Sequence, residues 1–132
     1  MNSQATSAVN QYRSTGNSSI AYADPHELIL RLLSGAIERV AQAKGALGQN
    51  DVQAKGELIS KAMGIINGLA GCIDHDQGGD IAANLAALYE YMNMRLLEAN
   101  VQDDPQKLDE VARLLNEIRS AWSQIKPVKN DQ

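Results

Sequence analysis

Asp24-Pro25-His26-Glu27-Leu28-Ile29-Leu30-Arg31-Leu32-Leu33 is the stretch on which the fold turns. Asp24 has the short acceptor side chain of an N-cap. Pro25 follows where a helix needs no N–H, and Glu27 stands where a capping box places its glutamate. From there Leu28, Ile29, Leu32, Leu33, Ala36, Ile37, Val40, Ala43 and Leu47 recur at three and four residues. That period predicts one apolar face of a helix over about 25–47, stopping near Gly48.

Moving outward, Asn50 and Gln53 form a weaker capping pair, and Leu58, Ile59, Ala62, Met63, Ile66, Leu69, Ala70 and Ile73 continue the period. A second helix is expected over about 51–75. Gln77-Gly78-Gly79-Asp80 interrupts the pattern, which Ile81, Leu85, Leu88, Tyr89, Met92, Leu96 and Ala99 restore in a third helix over about 80–102. Asp104-Pro105 repeats the aspartate–proline start. Leu108, Val111, Ala112, Leu115, Ile118, Trp122 and Ile125 then define a fourth helix over about 105–125, ended by Lys126-Pro127. The connections are too short to cross the length of a helix, so neighbours must be antiparallel. The expected fold is all-α: an up-down-up-down four-helix bundle over 24–126, with an N-terminal arm (1–23) and a short tail (127–132). The arm is polar and carries one charge, Arg13; its apolar residues are Val9, Tyr12, Ile20 and Tyr22. Such a segment does not fold alone but can lay side chains on something else.

Composition agrees with helices. Of 132 residues 44% are hydrophobic, yet there is no Phe, one Trp and four Tyr, which suits packed helices better than a sheet. Twelve basic against sixteen acidic residues give a net charge of −4, which argues against nucleic acid as a ligand. The single cysteine, Cys72, rules out an internal disulfide and fits a reducing cytosol. The longest uncharged apolar run, 62–73, carries Asn67 and three glycines and is too short to insert in a membrane.

The sequence holds no phosphate-binding glycine loop, no nucleophile elbow, and no glutamate with a histidine three residues on, the pairing a di-iron bundle needs. No cofactor and no catalytic residue is expected. One constellation bears on metal. The bundle brings His26 and Glu27 toward Cys72, His75 and Asp76, with Cys72 and His75 spaced to share a helical face. Dependable zinc sites use three or four ligands at fixed spacing, so the plainer reading is a small buried cysteine and two helix-end histidines, with no metal.

The more telling feature is apolar surface in excess of one core. On the third helix Ala83, Ala87, Tyr91, Met94 and Val101 fall off the core stripe. Either this is the most central helix, masked by its neighbours or by the arm, or it offers a groove to a partner's amphipathic helix. On the second helix Gly64, Gly68 and Gly71 lie opposite the core stripe. They are either drift on a solvated face or a smooth strip beside Ile65 for another backbone. The candidate groove is Ile65, Gly68, Ala83, Ala87, Tyr89, Tyr91 and Met94, with Tyr12, Ile20 and Tyr22 of the arm as its cover. A homodimer seam is the structural alternative.

Taken in order, several pieces carry a family likeness: Tyr12-Arg13, Asp24-Pro25-His26-Glu27-Leu28, Gly35-Ala36, Lys61-Ala62, Gly78-Gly79, Leu88-Tyr89 with Tyr91-Met92, Leu96-Leu97 with Ala99-Asn100, Leu114-Leu115 and Ala121-Trp122. The chain resembles the FliS family of flagellar secretion chaperones. The resemblance implies a cytosolic helical bundle that catalyses nothing. It binds the C-terminal segment of flagellin in apolar helix grooves, prevents premature polymerisation, and assists delivery to the flagellar type III export gate. It also implies an arm, anchored by Tyr12, that covers part of the groove when the tail is absent. Where family members often carry Leu-Tyr before the glycine of the first helix, this chain has Leu32-Leu33-Ser34-Gly35, so any hydrogen bond from that tyrosine is missing. The alternative function is a helix-binding regulator that sequesters another flagellar export or regulatory protein.

Overall fold

A computed structural model describes residues 24–125. The arm residues Tyr12, Ile20 and Tyr22 and the tail from 126 onward therefore lie outside the described residues. Four helices follow one another: α1 (Pro25–Gly48), α2 (Val52–Gly71), α3 (His75–Gln102) and α4 (Pro105–Gln124).

Each helix starts on an aspartate. Asp24 accepts from the His26 and Glu27 backbone N–H groups, Asp51 from Ala54, Asp74 from Gln77 and Asp104 from Gln106, at 3.0–3.3 Å. Replacing such a cap with alanine typically costs about 1 kcal/mol. Two of these caps differ from the sequence reading. Asp51 caps α2 in place of Asn50, which takes a left-handed turn at φ 59° between the helices. Asp74 caps α3, so α2 ends at Gly71 rather than near 75, and α3 starts before the expected glycine break. The break is real, but it is a kink: Gly79 has φ 54° and ψ −127°, outside helical geometry, and the chain resumes α3 beyond it. Next to it, a Cβ on Gly78 would lie 2.7 Å from that of Ala82, so the position needs a bare backbone.

The helices pack in a ring, α1 on α2 and α4, and α3 on α2 and α4. Polar contacts fix their antiparallel sense. Lys44 at the end of α1 pairs with Asp109 near the start of α4 at 2.8 Å. Arg119 late in α4 reaches Ser34 in α1 at 3.1 Å. Lys55 at the start of α2 is buried and bonds the Asn100 carbonyl at 2.9 Å and the Asp103 carboxylate at the end of α3. The fold is thus the expected up-down-up-down bundle.

Its core joins Leu32, Leu33, Ala36 and Val40 of α1 to Ile59 and Ile66 of α2, Met92 and Leu96 of α3, and Leu108, Val111 and Leu115 of α4. The most enclosed helix is α1, where the adjacent pairs Leu32-Leu33 and Gly35-Ala36 are all buried. The reading of α3 as the central, masked helix is therefore corrected. Of the six exposed large hydrophobic residues among the described ones, four lie on α3: Ile81, Met94, Leu97 and Val101. No helix among the described residues is long and apolar enough to cross a membrane.

Candidate functional site

Four faces of α3 do four different things, and at about 100° per residue their separation follows from position alone. Tyr89, Met92, Leu96 and Ala99 point into the core. Tyr91 and Arg95 face α4, where the Tyr91 hydroxyl donates to Glu110 Oε2 at 2.6 Å and Arg95 Nε donates to Glu110 Oε1 at 2.7 Å. On the side toward α2, Asn93 donates to Asn67 Oδ1 at 2.9 Å. The remaining face carries Ala83, Ala87, Glu90, Met94, Leu97 and Val101, all exposed. Met94 and Leu97 keep 53% of their surface in water and Val101 75%.

This outward strip is the apolar excess, and covering it is favourable. Full burial of a Val, Leu or Met side chain contributes roughly 1.5–3 kcal/mol. With half or more of their surface in water, Met94, Leu97 and Val101 together hold in reserve something on the order of 3–4 kcal/mol. A strip of this length, flanked by hydrogen-bonded polar side chains on both sides, has the anatomy of a helix-binding surface.

The flank toward α4 is electrostatically fixed. Arg95 holds Glu110 and also donates to Glu98 at 3.2 Å, while its guanidinium lies 5.7 Å from the centre of the Tyr91 ring. The hydrogen bond from Tyr91 lowers the Glu110 pKa below the ordinary carboxylate range, with Arg95 acting in the same direction. The same bond raises that of Tyr91 above the ordinary phenol range. Tyr91 is thus a wall of the strip, tied down at its hydroxyl.

At the end of the bundle where α1 starts and α2 ends, a cavity of about 300 Å³ lies among Ile29, Leu69, Cys72, Tyr89, Ile118 and Trp122. Burial, with a smaller contribution from Cys72, raises the Tyr89 pKa from 10.0 to about 12. One wall is latched by a reciprocal pair. His26 Nε2 donates to the Trp122 carbonyl at 2.8 Å, Trp122 Nε1 donates to the His26 carbonyl at 3.1 Å, and the rings stack with centroids 5.1 Å apart.

The sequence-derived candidates are accordingly dispersed. Ala83, Ala87 and Met94 lie on the outward strip, Tyr91 on its α4 flank, and Tyr89 in the core beside the end cavity. On α2, Ile65 is half-buried against the core and Gly68 is buried. Cys72 and His75 do not share a helical face, because α2 ends at Gly71 and His75 begins α3. Among the described residues no three His, Cys, Asp or Glu side chains gather as a metal site would require. Leu97 and Glu90 are not among the sequence-derived candidates, and Val101, off the core stripe in the sequence reading, is left out of the groove. The signal that could have found them is the alternating spacing of four and three from Ala83 to Val101.

The family model described as flagellar protein FliS matches residues 8–129. The chain belongs to the FliS family. It is 46% identical over 122 residues to the flagellar secretion chaperone FliSB of Pseudomonas aeruginosa, covering 92% of this chain and 97% of that protein. It is 49% identical over 111 residues to the flagellar secretion chaperone FliS of Salmonella typhimurium, 83% of this chain and 82% of that one. The FliS protein of Vibrio cholerae is 44% identical over 111 residues, 84% of this chain and 82% of its own. These FliS relatives are chaperones by name, and the family is not one of enzymes.

Proposed function

We propose that this FliS-family chain is a cytosolic export chaperone for flagellin. It takes the C-terminal segment of flagellin onto the outward face of α3, keeps that segment from polymerising early, and hands the subunit to the flagellar export gate. The observation that carries this reading is the exposed strip of Met94, Leu97 and Val101 on a helix whose other faces are already occupied. Family membership supplies the flagellar context.

The physical mechanism is coupled folding. A disordered tail gains helicity as it buries the strip, and the apolar area covered offsets the cost of ordering it. The polar arm, with its few apolar residues, competes for the same surface and loses to a longer helix. No bond is made or broken, and no cofactor enters. Mixing the full chain with a peptide of the flagellin C-terminal segment should give circular dichroism above the sum of the parts and a measurable dissociation constant. Met94→Asp and Val101→Asp should weaken that binding without unfolding the bundle, and deleting residues 1–20 should tighten it. No gain in helicity and no complex would overturn the reading, and would leave another flagellar export or regulatory protein as the substrate to seek.

A further inference from the structure

The outward residues of α3 are spaced in a way that specifies more than greasiness. Ala83, Ala87, Glu90, Met94, Leu97 and Val101 are separated by four, three, four, three and four residues, the register of a heptad seam. Such a seam keeps facing a single long helix that crosses at about +20°, rather than a short helix crossing steeply. It runs about 27 Å at roughly 1.5 Å per residue, or five turns. One end is lined by alanines, which admit a close approach and large partner side chains. The other end carries the larger Met94, Leu97 and Val101.

Glu90 stands alone in the middle of this seam. Its neighbours one turn away on the helix surface are Ala86, Ala87, Asn93 and Met94, none of them charged, and it makes no ion pair or hydrogen bond among the described residues. Any helix laid along the seam covers this carboxylate, and a buried carboxylate with no partner is costly. The occupant must therefore bring its own cation. A second copy pairing through the same seam does not do so. In a parallel pairing of seams Glu90 meets Glu90 of the other copy, and in an antiparallel one the two lie within about 6 Å along the axis. Like charges so placed disfavour the complex.

Resting on the reading above that the strip binds a partner, we propose that α3 selects a partner helix in heptad register bearing a Lys or Arg opposite Glu90. Glu90 is then a specificity residue: it contributes little to folding and rejects apolar helices that carry a neutral or acidic residue at that point. This is selection by penalty as much as by attraction.

The test uses the full chain and two labelled amphipathic peptides of about 21 residues, enough for the five turns. They are identical except for Lys or Glu at the central seam position. Fluorescence anisotropy should show the Lys peptide binding about tenfold or more tightly than the Glu peptide, with the preference falling as salt rises. Glu90→Lys should reverse the order, and Glu90→Ala should bring the two peptides close to equal. Glu90 is exposed, so unchanged helicity of both variants is expected and checks that they fold. Failure of both peptides to bind, or the same preference in the native chain and in Glu90→Lys, would overturn the proposal. The flagellin C-terminal peptide is run alongside. If it fails to bind while the Lys peptide binds with the expected preference, the selection rule stands and the flagellin reading falls. If it binds but the paired peptides show no preference, the reverse holds.

Discussion

Leu96 and Leu97 are adjacent and identical in chemistry, and truncating each to alanine should produce opposite phenotypes. Leu96 is fully buried in the core, whereas Leu97 keeps 53% of its surface in water. Leu96→Ala removes three buried carbons and leaves a cavity, a loss of about 2–5 kcal/mol. For a bundle of this size that lowers the melting temperature by roughly 7–20 °C. Leu97→Ala removes carbons already half in water and should cost under about 1 kcal/mol of stability. Its cost appears on binding, where the half still exposed would have been buried. That is about 1 kcal/mol, or a roughly fivefold to tenfold weaker dissociation constant. Thermal unfolding followed by circular dichroism, and calorimetric titration with the flagellin C-terminal peptide, separate the two effects. Comparable destabilisation by both substitutions would refute the assignment of faces. A normal affinity in Leu97→Ala would refute the strip as the contact.

Three further outcomes are expected. Tyr89 has its pKa raised from 10.0 to about 12, so the unfolded chain ionises first and the stability gained from keeping this phenol neutral is lost between pH 10 and 12. The loss is on the order of 2–3 kcal/mol by the top of that window, and denaturant midpoints of Tyr89→Phe should fall less steeply there than those of the native chain. Glu110 has the opposite sign: its lowered pKa contributes stability above the ordinary carboxylate range that disappears as pH falls through the folded value. Tyr91→Phe removes the largest cause of that shift, so its stability deficit should shrink on acidification, and a deficit constant from pH 7 to 3 would contradict the assignment. Gly79→Ala places a Cβ at φ 54° and ψ −127°, a backbone conformation favoured only by glycine. It should cost about 1–3 kcal/mol, with an unchanged denaturant slope.

What the sequence disclosed and what it hid divide along the range of the forces involved. The aspartate–proline starts at 24–25 and 104–105 were legible because a cap is made within three residues. The end of α2 was not. Cys72 and Ile73 continue the apolar period, and only the competing cap at Asp74 shows that the chain has already turned. Apolar excess on α3 could be read from its count of Ala, Met, Leu and Val. Which side chains carry it depended on phase, and Leu96-Leu97 offers two leucines of which one must face out. The role of Tyr91 was beyond reach, because its partner Glu110 lies on another helix and nothing local points there. Nor could composition show that α1 is the enclosed helix. That follows from adjacent apolar pairs which bury two sides of one helix, visible only once α2 and α4 are seen packed against it.

The central claim, that the outward face of α3 receives the flagellin tail, is tested most directly by placing a photoreactive side chain at single positions of the full chain and irradiating it with the C-terminal peptide. Crosslinks should form from positions 94 and 97 and not from Gln42, which is exposed on α1. Equal crosslinking from all three, or crosslinking from Gln42 alone, would contradict the account.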